Sequence, residues 1–281
     1  MGFCHTHRHV RLDTTPDPGL AFGGAVPFGA GNEAGGPMRR VDGIVAAIAV
    51  AFSIAVGSAA TGDERTGRDE PRFLLFSTTD LWRHGGFTHG GGVWSPGGVD
   101  NEGFALKLMF GGGIYRYISG ALGDAEVSGR QLAGAVLPGW RFVRGKFIAT
   151  IFAGLDSQNH RLTPDDVAAG LRGSYAGLRA GFELWYEPTT ATMVAADASV
   201  STIGTSYSAR AAFGWRIFDR YYLGPEVHGF AAGDNYRQFR AGLHVTGFKT
   251  ETFEWSAGAG WATDSDDRDS LYGKLGLLLR R

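Results

Sequence analysis

The sequence is poor in cysteine, in net charge and in long apolar segments. Of its 281 residues one is cysteine, Cys4, and the formal net charge is −1. A disulfide framework is therefore excluded, and the overall charge does not indicate nucleic acid or an anionic membrane surface as a partner. Beyond the N-terminal region no apolar run approaches the roughly 20 residues that a membrane-spanning helix needs.

Catalytic and metal-binding signatures are also missing. The sequence contains neither the G-x-S-x-G elbow of α/β-hydrolases nor the H-E-x-x-H pair of zinc proteases. Its acidic stretches lack the glycine and the terminal glutamate of an EF-hand loop. Solvated surface loops explain these acidic residues more simply: Asp165, Asp166, Asp264, Asp266, Asp267 and Asp269. We therefore expect no enzyme, no catalytic residues, no metal and no cofactor.

Glycine and aromatic residues are abundant instead. The chain has 45 Gly, and 12% of its residues are aromatic, whereas an average protein has about 7% Gly. No G-X-Y period is present, so collagen is excluded. Long helices are disfavoured as well, because each Gly costs about 1 kcal/mol relative to Ala in a helix. This composition favours many short strands joined by turns.

The N-terminal region has the pattern of an export signal that begins at Met38. Arg39 and Arg40 form a charged start, residues 44–56 are apolar, and residues 57–60 are small. The apolar run is too short to cross a bilayer as a helix; a short buried helix is the alternative interpretation. We predict a signal peptide at 38–60 and a linker at 61–72. Residues 1–37 are then either not translated or disordered, and the mature chain contains no cysteine.

The remainder divides into twelve alternating segments separated by turn residues, and we predict a β-barrel domain over 73–281. An even number is typical of single-chain bacterial outer-membrane barrels. The predicted segments are 73–82, 87–94, 104–117, 126–143, 146–160, 174–187, 192–203, 206–218, 221–230, 236–248, 253–263 and 270–280.

The period of two is clearest in the sixth segment. Its even-numbered positions from Ala176 to Tyr186 are apolar, whereas its odd-numbered positions include Arg179 and Glu183. Successive side chains of a strand point to opposite sides, so one face is apolar and the other polar. In a soluble sandwich the apolar face would be the core. In an outer-membrane barrel it meets lipid, and the charges line the lumen.

Three features favour the membrane barrel. The apolar positions are often Ala or Gly, which would pack a soluble core poorly. Aromatic residues cluster at strand ends, as in interfacial girdles. Connections after segments four, six, eight and ten are short, whereas those after three, five and eleven are longer, with residues 95–103 as an exception. The predicted fold class is therefore all-β, an antiparallel up-and-down outer-membrane barrel of about twelve strands.

In this barrel the polar face lines the lumen. The predicted lumen-facing residues are Lys107, Arg179, Glu183, Asp197, Arg210, Arg216, Glu226, Arg240, His244 and Lys274. The aromatic residues predicted for the girdles are Trp82, Phe87, Trp94, Phe104, Tyr117, Trp185, Tyr186, Phe218, Tyr221, Tyr222, Phe248 and Phe253. Four tryptophans near the mouths have an alternative role, in which they stack on sugar rings: Trp94, Trp185, Trp215 and Trp261.

Several strings are distinctive beyond composition. Among them are DLWRHGGFTHGGGVWSPGG (80–98), LPGWRFVRG (137–145), FAGLDSQNHRLTPDD (152–166) and GSYAGLRAGFELWYEPT (173–189). Together they resemble the cellulose biosynthesis protein BcsS family, over about residues 75–281. The resemblance implies a secreted all-β envelope protein associated with a cellulose synthase system, and it supplies no catalytic residues.

We therefore expect a non-catalytic outer-membrane barrel, exported through the signal at Met38, that supports cellulose biosynthesis or export. Its expected partners are outer-membrane lipid and either cellulose or the synthase and secretion apparatus, and no nucleic acid. The alternatives are a general small-solute channel and an outer-membrane lipid-modifying enzyme.

The start at Met38 can be tested by N-terminal sequencing of the protein isolated from membranes. We expect the mature chain to begin near Ala60 or Thr61, because cleavage follows the small residues that end the signal peptide. Mass spectrometry of the unprocessed precursor provides the control. Peptides from residues 2–37 would contradict the prediction.

Overall fold

A computed structural model describes residues 70–232, 236–250 and 252–281. The predictions for residues 1–37, for the signal peptide at 38–60 and for most of the linker at 61–72 lie outside these residues. The described chain forms β1 (Phe73–Trp82), β2 (Gly85–Trp94), β3 (Gly103–Ser119), β4 (Ala125–Arg144), β5 (Phe147–Thr163), β6 (Gly173–Tyr186), β7 (Thr192–Ser201), β8 (Ser206–Ile217), β9 (Tyr221–Ala232), β10 (Tyr236–Thr250), β11 (Phe253–Asp264) and β12 (Asp269–Arg280). Short 3₁₀ turns lie at Gly120–Leu122 and Ile203–Thr205.

The twelve strands form one closed barrel in which each strand pairs with its neighbours in sequence. All pairings are antiparallel, and β1 closes the ring against β12, from Leu74 opposite Arg280 to Trp82 opposite Tyr272. Two backbone hydrogen bonds between Phe73 and Arg281 complete this seam. The predicted up-and-down antiparallel barrel of twelve strands is confirmed.

Strand ends differ from the predicted segments by a few residues. The fifth segment was expected to end at His160, but β5 continues to Thr163 because Thr163 pairs with Ser128 of β4. The seventh ends at Ser201 rather than Ile203, where a 3₁₀ turn begins. Gly204 in this turn has a φ of +58°, a left-handed conformation that glycine adopts without strain. Pairing with a neighbour therefore decides where these strands end.

Hydrophobic side chains face outward and polar ones face inward. On β10, Leu243 is 61% exposed, whereas its neighbour His244 is 2% exposed. The same contrast separates Leu155 from Asp156 on β5. A soluble protein buries its apolar face, so this inverted distribution identifies an outer-membrane-type barrel. Of the helical segments in the described residues, none has the length and apolar character to cross a membrane.

Exposed aromatic residues form a girdle around the end of the barrel at which β1 begins and β12 ends. We call this end the terminal end. Neighbouring rings in this girdle contact edge to face: Trp94 with Phe104, Phe147 with Tyr186, and Tyr221 with Phe248. The opposite end is called the loop end. Aromatic side chains at such interfaces anchor a barrel in the bilayer.

Five aromatic residues predicted for the girdles are not in them, because their positions along the strand point inward. Trp185 and Tyr222 illustrate this: their strands, β6 and β9, have two strands between them, yet the ring centroids are 5.9 Å apart. The rings can meet only through the lumen. The prediction was wrong for Trp82, Phe87, Tyr117, Trp185 and Tyr222, because proximity to a strand end does not specify a face.

The long connection between β2 and β3, which departs from the predicted loop asymmetry, is ordered at the terminal end. The backbone amide of Ser95 donates to the carbonyl of Arg72 (2.9 Å), and that of Val99 donates to Pro71 (2.7 Å). Val99 is fully buried. Residues 95–102 therefore pair with the segment that leads into β1.

Introducing an arginine on the outer face tests whether that face meets lipid. Leu243→Arg should lower the free energy of unfolding in lipid vesicles by about 2–4 kcal/mol, because the hydrocarbon core does not solvate the cation. Phe248→Arg, at the girdle, is the matched control and should cost about 0–1 kcal/mol. Urea titration followed by tryptophan fluorescence measures both. If both variants lowered the free energy of unfolding by the same small amount, the outer face would not be a lipid-facing surface.

Candidate functional site: a polar cup in a barrel with a packed floor

The terminal half of the lumen is filled on the side of β1 to β5. Five buried residues form an apolar cluster there: Val93, Ala105, Ala135, Leu137 and Phe152. Leu74, Phe76 and Met109 pack against it. The packing resembles a protein core, in which few voids exceed a water molecule. We call this cluster, together with Trp185, Met193, Arg216 and Tyr222 on the opposite wall of the lumen, the floor.

The side of β6 to β9 is also filled. The Trp185 and Tyr222 rings pack edge to face, and the Arg216 guanidinium lies 5.0 Å from the centre of the Tyr222 ring. Arg216 also pairs with Glu187 at 3.5 Å. Met193 is 1% exposed. The inward side chains at the terminal end therefore contact one another rather than an open pore.

Inward-facing glycines allow long polar side chains to lie against the barrel wall. A Cβ atom on Gly258 of β11 would approach Oε1 of Glu226 on β9 to 2.3 Å. Another on Gly242 of β10 would approach the Tyr272 hydroxyl to 2.7 Å. Glu226 thus reaches across β10 and β11 to accept a hydrogen bond from Tyr272 of β12 at 3.1 Å.

Above the floor, a ring of charged residues surrounds the lumen. Lys107 of β3 pairs with Glu183 of β6 across two intervening strands. Glu183 and Asp197 are directly opposite each other on β6 and β7, and Asp197 is opposite Arg210 on β8. Arg210 donates to Glu226 at 2.8 Å and lies 3.7 Å from Asp197.

Arg240 completes the ring beside β1. Its guanidinium donates to Asp80 at 2.6 Å, again across two strands, and to the Gln238 side chain at 2.6 Å. It also lies 4.7 Å from the centre of the Trp82 ring and 5.4 Å from that of Tyr272. The buried cation is therefore both paired and stacked, which offsets its desolvation.

The distinctive LDSQNHRLTPDD string forms a hydrogen-bonded ladder on the inner face of β5. Gln158 donates to Asp156 at 3.1 Å, and its carbonyl oxygen lies 3.1 Å from Nε2 of His160. Asp156 also accepts bonds from Arg179 (2.8 Å) and Ser201 (2.5 Å). All three ladder side chains are buried, so their orientations are held by their neighbours.

The ladder continues to the loop end through an aromatic cluster. The Tyr115 hydroxyl lies 3.2 Å from Nδ1 of His160, and Tyr115 stacks on Tyr117. Tyr117 in turn donates to Asp166 at 3.0 Å. This contact anchors the connection 164–172, between β5 and β6, to the end of β3.

Asp166 is part of this connection, and its carboxylate holds the connection in place. Hydrogen bonds from Ser119 and Tyr117 keep the pKa of Asp166 below its ordinary value of 3.8. Its carboxylate also accepts a bond from the backbone amide of Ala168 at 3.1 Å. Leu171, further along, lies over Gly204, where an added Cβ would meet it at 2.8 Å.

A cavity of about 420 Å³ lies between the floor and the loop end. Leu137 and Phe152 of the floor bound it on one side, and Leu171 lies on its rim. Its walls combine charged and amide side chains with aromatic rings. We call this cavity the cup; its volume is within the range typical of small-molecule sites.

The structure places seven of the ten predicted lumen residues on the wall of the cup: Lys107, Arg179, Glu183, Asp197, Arg210, Arg240 and Lys274. Glu226 and His244 are buried beneath them, where His244 lies 2.9 Å from the Thr246 hydroxyl. Arg216 is in the floor at the terminal end.

Sequence reasoning missed other members of the cup. Asp80, Trp82, Asp156, Gln158 and His228 also line it. Alternation along β1, β5 and β9 could have indicated their face, but the sequence contains no signal for their partners. Trp94, Trp215 and Trp261 are exposed on the outer surface and Trp185 is in the floor, so none of the four stacking candidates lines the cup. In the described part of the chain no group of three or more His, Cys, Asp or Glu side chains could hold a metal ion.

These features define the class of the protein: an outer-membrane-type β-barrel with a packed floor and a polar cup. The family model for cellulose biosynthesis protein BcsS matches residues 74–281. The chain belongs to this family. None of the curated proteins matches the sequence.

Solved structures with a similar fold include several outer-membrane barrels. The COG4313 outer membrane channel from Pseudomonas putida F1 is 12% identical, with a TM-score of 0.47 over 79% of this chain and 100% of that chain. The translocator domain of autotransporter NalP from Neisseria meningitidis is 12% identical, with a TM-score of 0.43 over 84% and 97%. A KdgM porin is 9% identical, with a TM-score of 0.41 over 73% and 98%. Similarity at this level carries no information about what this chain binds.

The anchor at Asp166 should respond to pH. Because the folded-state pKa of Asp166 is lowered, its contribution is present above the ordinary value of 3.8 and is lost as the pH falls through the lowered value. Asp166→Asn should reproduce this loss at neutral pH by removing the charge that the hydrogen bonds stabilise. Hydrogen exchange of residues 164–172 measures the anchoring. Asp267→Asn, at an exposed position in the connection between β11 and β12, is the control, and equal protection in the two variants would contradict the anchor.

Proposed function

We propose that this protein is a non-catalytic barrel of the outer membrane that supports cellulose biosynthesis or export. It reaches the membrane through the signal peptide that begins at Met38. Lipid surrounds its apolar face, and it contacts the glucan or the synthase and secretion apparatus through its ends. Family membership supports the link to cellulose, and the inverted distribution of polar and apolar side chains supports the location.

The packed floor is the observation that carries the proposal of support rather than conduction. Leu137 and Phe152 are 2% and 1% exposed, and Met193 on the opposite side is 1% exposed. A polymer that threaded the barrel would have to displace these side chains, each costing several kcal/mol to unpack. The chain therefore acts by contact with its partners, and a glucan does not pass through it.

A second candidate, a small-solute channel, is favoured by the charged ring alone. Mixed charges line the passages of many barrels, and charges of both signs line the cup. A lipid-modifying enzyme has less support. His160 and His244 are each bonded to neighbouring side chains that orient them as structural groups.

Deletion of the gene tests the proposed role. Cellulose output should fall, or the synthase system should lose its normal localisation, and the wild-type gene should restore both. Unchanged output together with unchanged localisation would end the proposal.

Overexpression should leave lipid A unchanged by mass spectrometry, since an altered lipid A would reveal an enzyme instead.

Planar-bilayer recordings distinguish the scaffold from the channel. The wild-type barrel should be silent, because the floor blocks the lumen. Leu137→Ala combined with Phe152→Ala should introduce measurable conductance by opening the floor. Leu243→Ala with Phe239→Ala, the same residue types on the outer face of β10, is the control and should remain silent. Steady conductance of the wild type would support the channel.

A further inference from the structure

We propose that the cup binds the end of a short neutral saccharide, which enters from the loop end. This inference rests on the proposed function and deepens it, because it names the chemical class of the ligand and the part of the molecule that receives it.

The charges on the wall favour a neutral ligand. Glu183 and Asp197 are directly opposite each other, and their side chains are 40% and 50% exposed to the lumen. Lys107 and Arg210 are their partners. The whole wall has five basic and four acidic side chains. An anion and a cation therefore each meet like charges as well as opposite ones, and neither gains a large net attraction. A hydroxyl group both donates and accepts, and it satisfies both kinds of side chain.

Lys274 provides an additional donor. It lines the cup on β12, and among the described residues it makes no ion pair of its own. Its Cα partner on β1 is Asp80, which is engaged by Arg240. An ammonium group in this position has three donors available for ligand oxygens.

The ladder on β5 supplies rigid, planar hydrogen-bonding groups. Oδ1 of Asp156 and Nε of Arg179 have no partner among the described residues, although the two side chains are paired through other atoms at 2.8 Å. Nε1 of Trp82 is also without one. An unsatisfied acceptor beside an unsatisfied donor again matches a hydroxyl group, because a buried polar atom is costly unless it is bonded.

Aromatic faces complete the recognition surface. Trp82, Phe87 and Phe230 line the cup together with the polar groups. The C–H faces of a sugar ring are apolar and pack on such rings, here on the surfaces that Arg240, which lies over one face of Trp82, does not cover. The hydroxyl groups of the sugar point sideways to polar partners. Apolar and aromatic walls with a few fixed polar groups are the usual composition of small-molecule sites.

The dimensions restrict the ligand to a chain end. The cup has a volume of about 420 Å³, and Leu137 and Phe152 close it below. Leu171, in the connection 164–172, lines the cavity towards the loop end. A saccharide can therefore enter from that end but cannot pass through.

Calorimetry on the folded full-length barrel in detergent tests this inference with three tetrasaccharides. Cellotetraose should bind, whereas tetragalacturonate, an anion, and chitosan tetramer, a cation, should bind at least about tenfold more weakly. Absence of cellotetraose binding, or tighter binding of either charged tetramer, would overturn the proposal.

Variants of the cup locate the site. Ser199→Phe places a ring in the cavity beside Ser208 and should abolish binding. Lys274→Gln, which breaks no ion pair, should weaken binding by about tenfold while the barrel stays folded. Heat-modifiable gel mobility checks folding of both. Unchanged affinity in two folded variants would place the saccharide elsewhere and refute the site.

Tryptophan fluorescence provides an independent readout with a matched control. Cellotetraose should change the emission of the wild type and of Trp261→Phe, whose ring is on the outer surface. The change should disappear in Trp82→Phe. If it persists in Trp82→Phe, the ligand does not contact the cup wall at β1 and the inference fails. Loss of cellulose after gene deletion without any saccharide binding would leave the proposed function standing and remove only this inference.

Discussion

Closure of the strand ladder is the constraint on which the rest of this structure depends. Backbone amide and carbonyl groups find no partner in hydrocarbon, so a sheet that meets lipid must have no open edge. Here β12 returns to β1, and Phe73 and Arg281 exchange the last two hydrogen bonds. Once the ring is closed, the period of two assigns every side chain to lipid or to the lumen. The outer face is therefore apolar, and the charges have only the interior available to them.

Inside the barrel, those charges are satisfied by contacts between strands that are not neighbours. Lys107 with Glu183, Arg240 with Asp80, and Glu226 with Tyr272 each join strands that have two others between them. Such contacts require side chains to lie flat against intervening strands, and inward glycines such as Gly242 and Gly258 provide the space. The abundance of glycine, which disfavours helices, thus has a second consequence: it leaves room for long side chains to reach across two strands inside the barrel.

The lumen has two parts with different chemistry. At the terminal end an apolar cluster around Phe152 and the Trp185–Tyr222 pair fill the barrel as a core would. Towards the loop end the β5 ladder and the charged ring surround a cavity, and Asp166 ties the connection 164–172 beside its mouth. Membership of the cellulose biosynthesis protein BcsS family and a blocked floor together favour a supporting role over that of a conduit.

Local periodicity by itself determined the class of fold, the number of strands and the face of residues such as Arg179 and Arg210, because alternation is a property of single strands. It did not determine which charges meet, since Lys107 and Glu183 are 76 positions apart in the chain. Position at a strand end assigned Trp82 and Trp185 wrongly to the girdles, because it carries no information about face. Partners, the packed floor and the cup were decided by barrel closure and register, which bring distant strands together across the lumen.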